Sequence, residues 1–190
     1  DHSGMNILTT TPLPLQITAI LLLGLTLGSF INVCIHRLPK KESIITPRSY
    51  CQSCKTKISV WDNIPVLSYL LLKGKCRQCT TSISLLYPIV EVSTALLLLT
   101  GFIKFGMTMK FAIFCVISPA LLTVAIIDIK HKIIPDTITL PGIIFGLVAG
   151  GYLIGLKESL LGLISGGGIF LFSSEVYYRV RGRVGMGGGD

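Results

Sequence analysis

Long apolar runs separated by short polar breaks make up most of the chain, and only one break is long. Five runs approach the roughly 20 apolar residues that a membrane-spanning helix needs. They are Leu13 to Ile35, Leu85 to Ile103, Phe111 to Ile129, Ile138 to Gly155 and Ser159 to Tyr178. The fourth, at 18 residues, is the shortest. Gly and Pro inside these runs are compatible with spanning helices, because neighbouring helices satisfy the backbone groups they free. The pattern predicts an all-α polytopic membrane protein of about five spans. One polar segment, His36 to Ser84, stands between the first two spans.

Composition agrees with the pattern. Hydrophobic residues make up 51%, charged residues only 14%, and mean hydropathy is +0.73, values beyond those of an ordinary soluble domain. Asp1 to Gly4, before Met5, reads as an appended tail and is set aside. No cleavable signal peptide is expected, since the first run can span and no positive charge precedes it; an uncleaved signal anchor leaves the topology unchanged.

The 17 Lys and Arg residues are unevenly placed. Arg37, Lys40, Lys41, Arg48, Lys55, Lys57, Lys73, Lys75 and Arg77 fall in the long polar segment. Lys130 and Lys132 follow the third run, and Arg179, Arg181 and Arg183 follow the fifth. The opposite ends carry only Lys104, Lys110 and Lys157. The positive-inside rule therefore puts the amino terminus outside and the basic loops in the cytoplasm. Topology and attraction to anionic membrane lipids account for the net charge of +8. No basic stripe interleaved with aromatics argues for nucleic-acid binding.

That topology places four cysteines of the long loop in a reducing compartment, where lasting disulfides are rare. They form two C-x-x-C pairs, Cys51 with Cys54 and Cys76 with Cys79, separated by 21 residues. Two such pairs supply four thiolates to a tetrahedral ion, so a structural zinc site is expected, with a redox pair or free thiols as the other reading. The gap is slightly longer than usual for a zinc ribbon. A loop this small has little core, so the metal is expected to hold it folded. Cys34 and Cys115 lie inside spans and read as small packing residues.

Among the nine acidic residues, Glu91, Asp128, Asp136, Glu175 and Asp190 lie in or beside the apolar runs. Such groups are costly in a membrane and are functional candidates by default. Asp128 ends the third run just before Lys130, His131 and Lys132, with which it could instead simply pair. Asp190 follows the basic residues after the fifth run. Two spans separate the two aspartates, which returns them to one membrane face. Two carboxylates sharing a site cannot both ionise easily, so one stays protonated while the other activates water. Gly187, Gly188 and Gly189, lacking Cβ atoms, would let a substrate strand or partner helix approach Asp190 closely.

At these residues the chain resembles the bacterial type IV prepilin peptidases, intramembrane aspartyl proteases with a glycine-x-glycine-aspartate motif. The resemblance rests on "GGGD" at Gly187 to Asp190, "IDIKHKIIPD" around Asp128, "GSFINVCIHRLP" from Gly28 to Pro39, "DNIPVLSYLLLKGKCRQC" from Asp62 to Cys79 and "YPIVE" from Tyr87 to Glu91. It covers nearly the whole chain from Gly24. It implies cleavage of the basic leader of prepilins or pseudopilins at the cytoplasmic face of the bacterial inner membrane. It also implies methylation of the new amino terminus by S-adenosylmethionine. Asp128 matches the first catalytic position and Asp190 the second. The long loop is similar to the region linked to methyl transfer, but no residue of this chain is placed on the methyl donor.

The expected organisation is a first span within residues 1–35, a zinc-binding loop over 36–84 and a peptidase region over 85–190. The resemblance implies further spans beyond Asp190. Asp136, Asp128's rival, follows Pro135 and reads as a helix-start capping residue. Glu91 could orient the loop or pair with its lysines, and Glu175 reads as an i,i+4 partner of Arg179. The net positive loop suits a basic leader poorly unless lipids or acidic residues such as Glu42 and Asp62 intervene. Two other classes stay open. One is a proton-coupled transporter relaying through Glu91, Asp128 and Glu175; the other is a non-catalytic zinc-bearing scaffold of an assembly machine.

Overall fold

A computed structural model describes residues 11–181 of the chain. Asp190, its glycine motif and the first ten residues lie outside the described residues. Among the described residues six α-helices occur in order: α1 (Leu13–Arg37), the short α2 (Leu67–Leu71), α3 (Leu86–Phe105), α4 (Met109–His131), α5 (Asp136–Leu153) and α6 (Leu156–Arg181). Among the described residues α1, α3, α4 and α5 are long and apolar enough to cross a membrane. The fifth expected span falls on α6, a continuous helix of 26 residues. The helices run through Pro119 in α4 and Pro141 in α5, as membrane helices can.

The chain divides into two compact units, residues 1–123 and 124–190, with α4 running across the boundary. In the first unit α1 packs along α3. Their backbones meet at Gly24 and Gly28: a Cβ on Gly28 would lie 2.5 Å from Glu91 Cα, and one on Gly24 would strike Ala95 Cα. Glycines spaced four apart lie on one helix face, so this pair forms the small-residue stripe by which membrane helices approach closely. Ile20, Leu98, Phe102 and Phe111 are buried together beside it. The α3–α4 turn uses Gly106 at φ +59 after the last helical residue, a conformation glycine adopts freely. In the second unit α5 and α6 form a hairpin turning at Gly155 (φ +108), where Ser159 Oγ donates to the Leu147 carbonyl at 3.1 Å.

The long loop between α1 and α3 carries little regular structure. It holds single 3₁₀ turns at Leu38–Lys40 and Trp61–Asn63, α2, and two isolated antiparallel bridges, Tyr50 with Lys57 and Lys75 with Ser82. Arg37 is buried where α1 ends. Its guanidinium donates to the Ser43 and Pro47 carbonyls at 2.8 and 2.7 Å, so this cation organises the loop's entrance rather than meeting solvent.

Candidate functional site

Each C-x-x-C pair sits in a knuckle closed by one bridge. In the first, Cys51 N–H donates to the Thr56 carbonyl and Lys55 N–H donates back to the Cys51 carbonyl, both at 2.9 Å. The second repeats the pattern: Cys76 N–H donates to Thr81 at 2.9 Å and Thr80 N–H to Cys76 at 3.0 Å. The residue after each second cysteine, Lys55 and Thr80, turns at φ +59 and +56. Two copies of one turn thus face their sulfurs toward a common point.

All four Sγ atoms lie within 4.8 Å of one another, and Cys51 and Cys79 are 3.7 Å apart. A tetrahedral ion with metal–sulfur bonds of about 2.3 Å sets its sulfurs roughly 3.8 Å apart, so the cluster fits a metal ion without rearrangement. At Cys79 and Cys54 the electrostatics also favour the thiolate. The Thr81 side chain, 3.3 Å from Cys79 Sγ, and then the Thr81 backbone, lower the Cys79 pKa to about 6. Hydrogen bonding to the Thr56 side chain and backbone shifts Cys54 downward in the same way.

Beside the second knuckle, Arg77 grips both carboxylate oxygens of Asp62, with contacts of 2.7, 2.9 and 3.1 Å. This fork holds the Asp62 pKa below the usual carboxylate range. Asp62 is therefore already partnered by Arg77.

Glu91 shows where the loop meets the spans. It is buried in α3, and its Oε2 accepts the Val66 N–H at 2.8 Å. Val66 stands at φ +61, ψ −49, a conformation a β-branched residue rarely adopts, so the carboxylate is one of the contacts that hold it. The carboxylate thus orients the loop, the first of the two roles the sequence left open. One turn nearer the start of α3, buried Asn32 of α1 donates to the Tyr87 carbonyl at 3.0 Å. Asn32, Arg37 and Gly28 were not singled out as individual positions by sequence. A buried polar residue within an apolar run was the available signal for Asn32.

Asp128 lies on the last turns of α4, partly buried, after the fully buried Ile127. Among the described residues it forms no ion pair with Lys130, His131 or Lys132. Asp136 starts α5 as expected, yet the cap position is taken by Pro135. Its exposed carboxylate lies in the first turn, where the helix dipole favours a negative charge. Glu175 accepts from Arg179 at 2.8 Å, the expected i,i+4 pair.

Apolar helices long enough to span, joined by a loop whose four thiols converge on one point, define a multi-pass membrane protein with a metal-competent loop domain. Residues 22–105 match the bacterial peptidase A24 N-terminal domain, and residues 115–190 match the type IV leader peptidase family. Proteins named prepilin leader peptidase/N-methyltransferase are similar over most of the chain. The one from Myxococcus xanthus is 37% identical over 93% of this chain and 53% of its own length. That from Pseudomonas aeruginosa is 35% identical over 90% of this chain and 67% of its own, and that from Pseudomonas putida 33% over 92% and 69%. The chain belongs to the type IV leader peptidase family. It spans about half the length of the M. xanthus relative and about two thirds of the two Pseudomonas ones. No solved structure matches it.

Proposed function

We propose that this chain is the leader-cleaving part of a prepilin peptidase that also methylates the new amino terminus. The observation that carries the reading is the match of residues 115–190, which include both Asp128 and Asp190, to the leader peptidase family. Asp128 is partly buried at a helix end and unpaired with the cations that follow it, a setting that suits a working carboxylate better than an interfacial ion pair.

In this reading Asp128 and Asp190 share one proton. The ionised carboxylate takes a proton from water as its oxygen attacks the scissile carbonyl, and the protonated one donates to the carbonyl oxygen. The substrates are prepilins or pseudopilins, whose hydrophobic segment lies in the bilayer, so the cut falls at the boundary where a span ends. The basic loops face the cytoplasm and the amino terminus faces outward, by the positive-inside rule. Zinc is the ion suited to Cys51, Cys54, Cys76 and Cys79: four thiolates with 3.7 Å between two of the sulfurs suit its tetrahedral shell. The ion would be structural, leaving no open position. S-adenosylmethionine supplies the methyl group when bound; no residue of this chain is assigned to it. The organisation proposed is a span within 1–35, the metal loop over 36–84 and the peptidase region from 85 onward.

The test is to reconstitute the membrane protein with a prepilin and follow the substrate by mass spectrometry. The reading predicts loss of the leader, and a further mass gain only when S-adenosylmethionine is added. An intact prepilin after prolonged incubation would favour a non-catalytic scaffold.

A further inference from the structure

The metal loop carries an apolar surface that neither the cysteines nor the aspartates explain. Leu67, Leu70 and Leu71 of α2 lie at i, i+3 and i+4, hence on one helix face, and are 50%, 64% and 73% exposed. Val60, Trp61 and Ile64 continue this exposed surface through the neighbouring turn. The opposite face of α2 is tied inward, since Tyr69 Oη donates to the Ile83 carbonyl at 3.3 Å. Trp61 is not exposed through looseness: Asp62 beside it is clamped by Arg77, next to Cys76.

The depth of this surface follows from Glu91. That residue lies five positions into α3, and at 1.5 Å per residue this is roughly 7–8 Å along the spanning helix. Its carboxylate holds the N–H of Val66, between Ile64 and Leu67. The segment is thereby tethered alongside the first turns of a span rather than held out in water. Basic residues border it, with Lys57 before and Lys73 and Lys75 after. No charged residue occurs from Gln78 to Val90, the stretch leading back into α3.

We propose that residues 60–72 form an interfacial anchor, with α2 lying in the headgroup region of the bilayer and Trp61 at its polar boundary. A lipid surface fits each feature. Aliphatic side chains enter the acyl boundary, a tryptophan sits at headgroup depth, and flanking lysines meet anionic headgroups. Exposure of such a patch to water would be unfavourable. The anchor fixes the metal loop against the membrane on the side where α1 ends and α3 begins. It is independent of the aspartate assignment.

Trp61 is the single tryptophan of the chain and reports its own position. The membrane protein would be reconstituted in phosphatidylethanolamine–phosphatidylglycerol vesicles whose acyl chains carry bromine either near the headgroup or near the bilayer centre. Trp61→Phe identifies the signal that belongs to Trp61. The anchor predicts that shallow bromines reduce this emission about twofold or more and deep bromines less, as for an interfacial aromatic. Leu70→Gln with Leu71→Gln, both at exposed positions, should diminish the quenching while leaving the helical circular dichroism intact. Emission indifferent to bromolipids but quenched freely by acrylamide would overturn the proposal. So would emission that ignores lipid bromines yet shifts when a prepilin is added, because the patch would then be a substrate groove.

Discussion

At the scale of single residues, hydrogen bonding decides which thiol is most acidic. Cys79 is held at about 6, below an ordinary thiol, first by the Thr81 side chain and then by its backbone. Because the folded pKa is depressed, the thiolate's contribution is full above the unfolded value and is lost as pH falls through about 6. Metal-free protein treated with iodoacetamide across a pH series should therefore alkylate Cys79 first, with its midpoint near that value. Equal rates at all four cysteines would contradict the assigned hydrogen bonds. Glu91 offers a second test. Glu91→Ala leaves the Val66 N–H without its acceptor, a loss of about 1–3 kcal/mol, whereas Glu91→Gln keeps an acceptor and should recover most of it. Thermal unfolding in detergent measures both. The sequence flagged Glu91 as an intramembrane carboxylate but could not name Val66, because 25 residues separate the partners. The Arg77 partner of Asp62, 15 residues away, was hidden for the same reason.

Elements were the most legible level. Runs of apolar residues located α1, α3, α4, α5 and α6, since a span's length and composition are local properties. The spacing of the two C-x-x-C pairs likewise foretold the sulfur cluster, because each pair closes its own knuckle through hydrogen bonds only a few residues apart. The contact of α1 with α3 was not legible, as many glycines occur in the apolar runs and only the fold shows that Gly24 and Gly28 touch a neighbour's backbone. Gly28→Val should push the helices apart and cost about 1–3 kcal/mol, as overpacking does. A matching change at Gly142, which faces open space, should cost less. A chelator titration examines the loop as an element. Removing the proposed ion should make residues 36–84 sensitive to protease while the helical signal of the spans persists; an equally resistant loop would show that the bridges and α2 suffice without metal.

For the whole molecule, the central claim is that two aspartates far apart in sequence act as one peptidase site at a membrane surface. Family membership and the spans support it, and the half-buried setting of Asp128, which forms no ion pair among the described residues, agrees with it. The pairing itself was inferred from topology, in which two spans return the chain to the same face, and from resemblance. Side-chain chemistry near Asp128 alone does not specify a partner 62 positions away. The most direct measurement is prepilin cleavage, read by mass spectrometry, for wild type, Asp128→Asn and Asp190→Asn reconstituted at equal protein levels. The proposed division of proton roles between the two carboxylates predicts that either substitution alone lowers the cleavage rate by a factor on the order of a thousand, and that the double variant loses little more. Wild-type rates from both single variants, with intact fold and metal content, would contradict the aspartate pair.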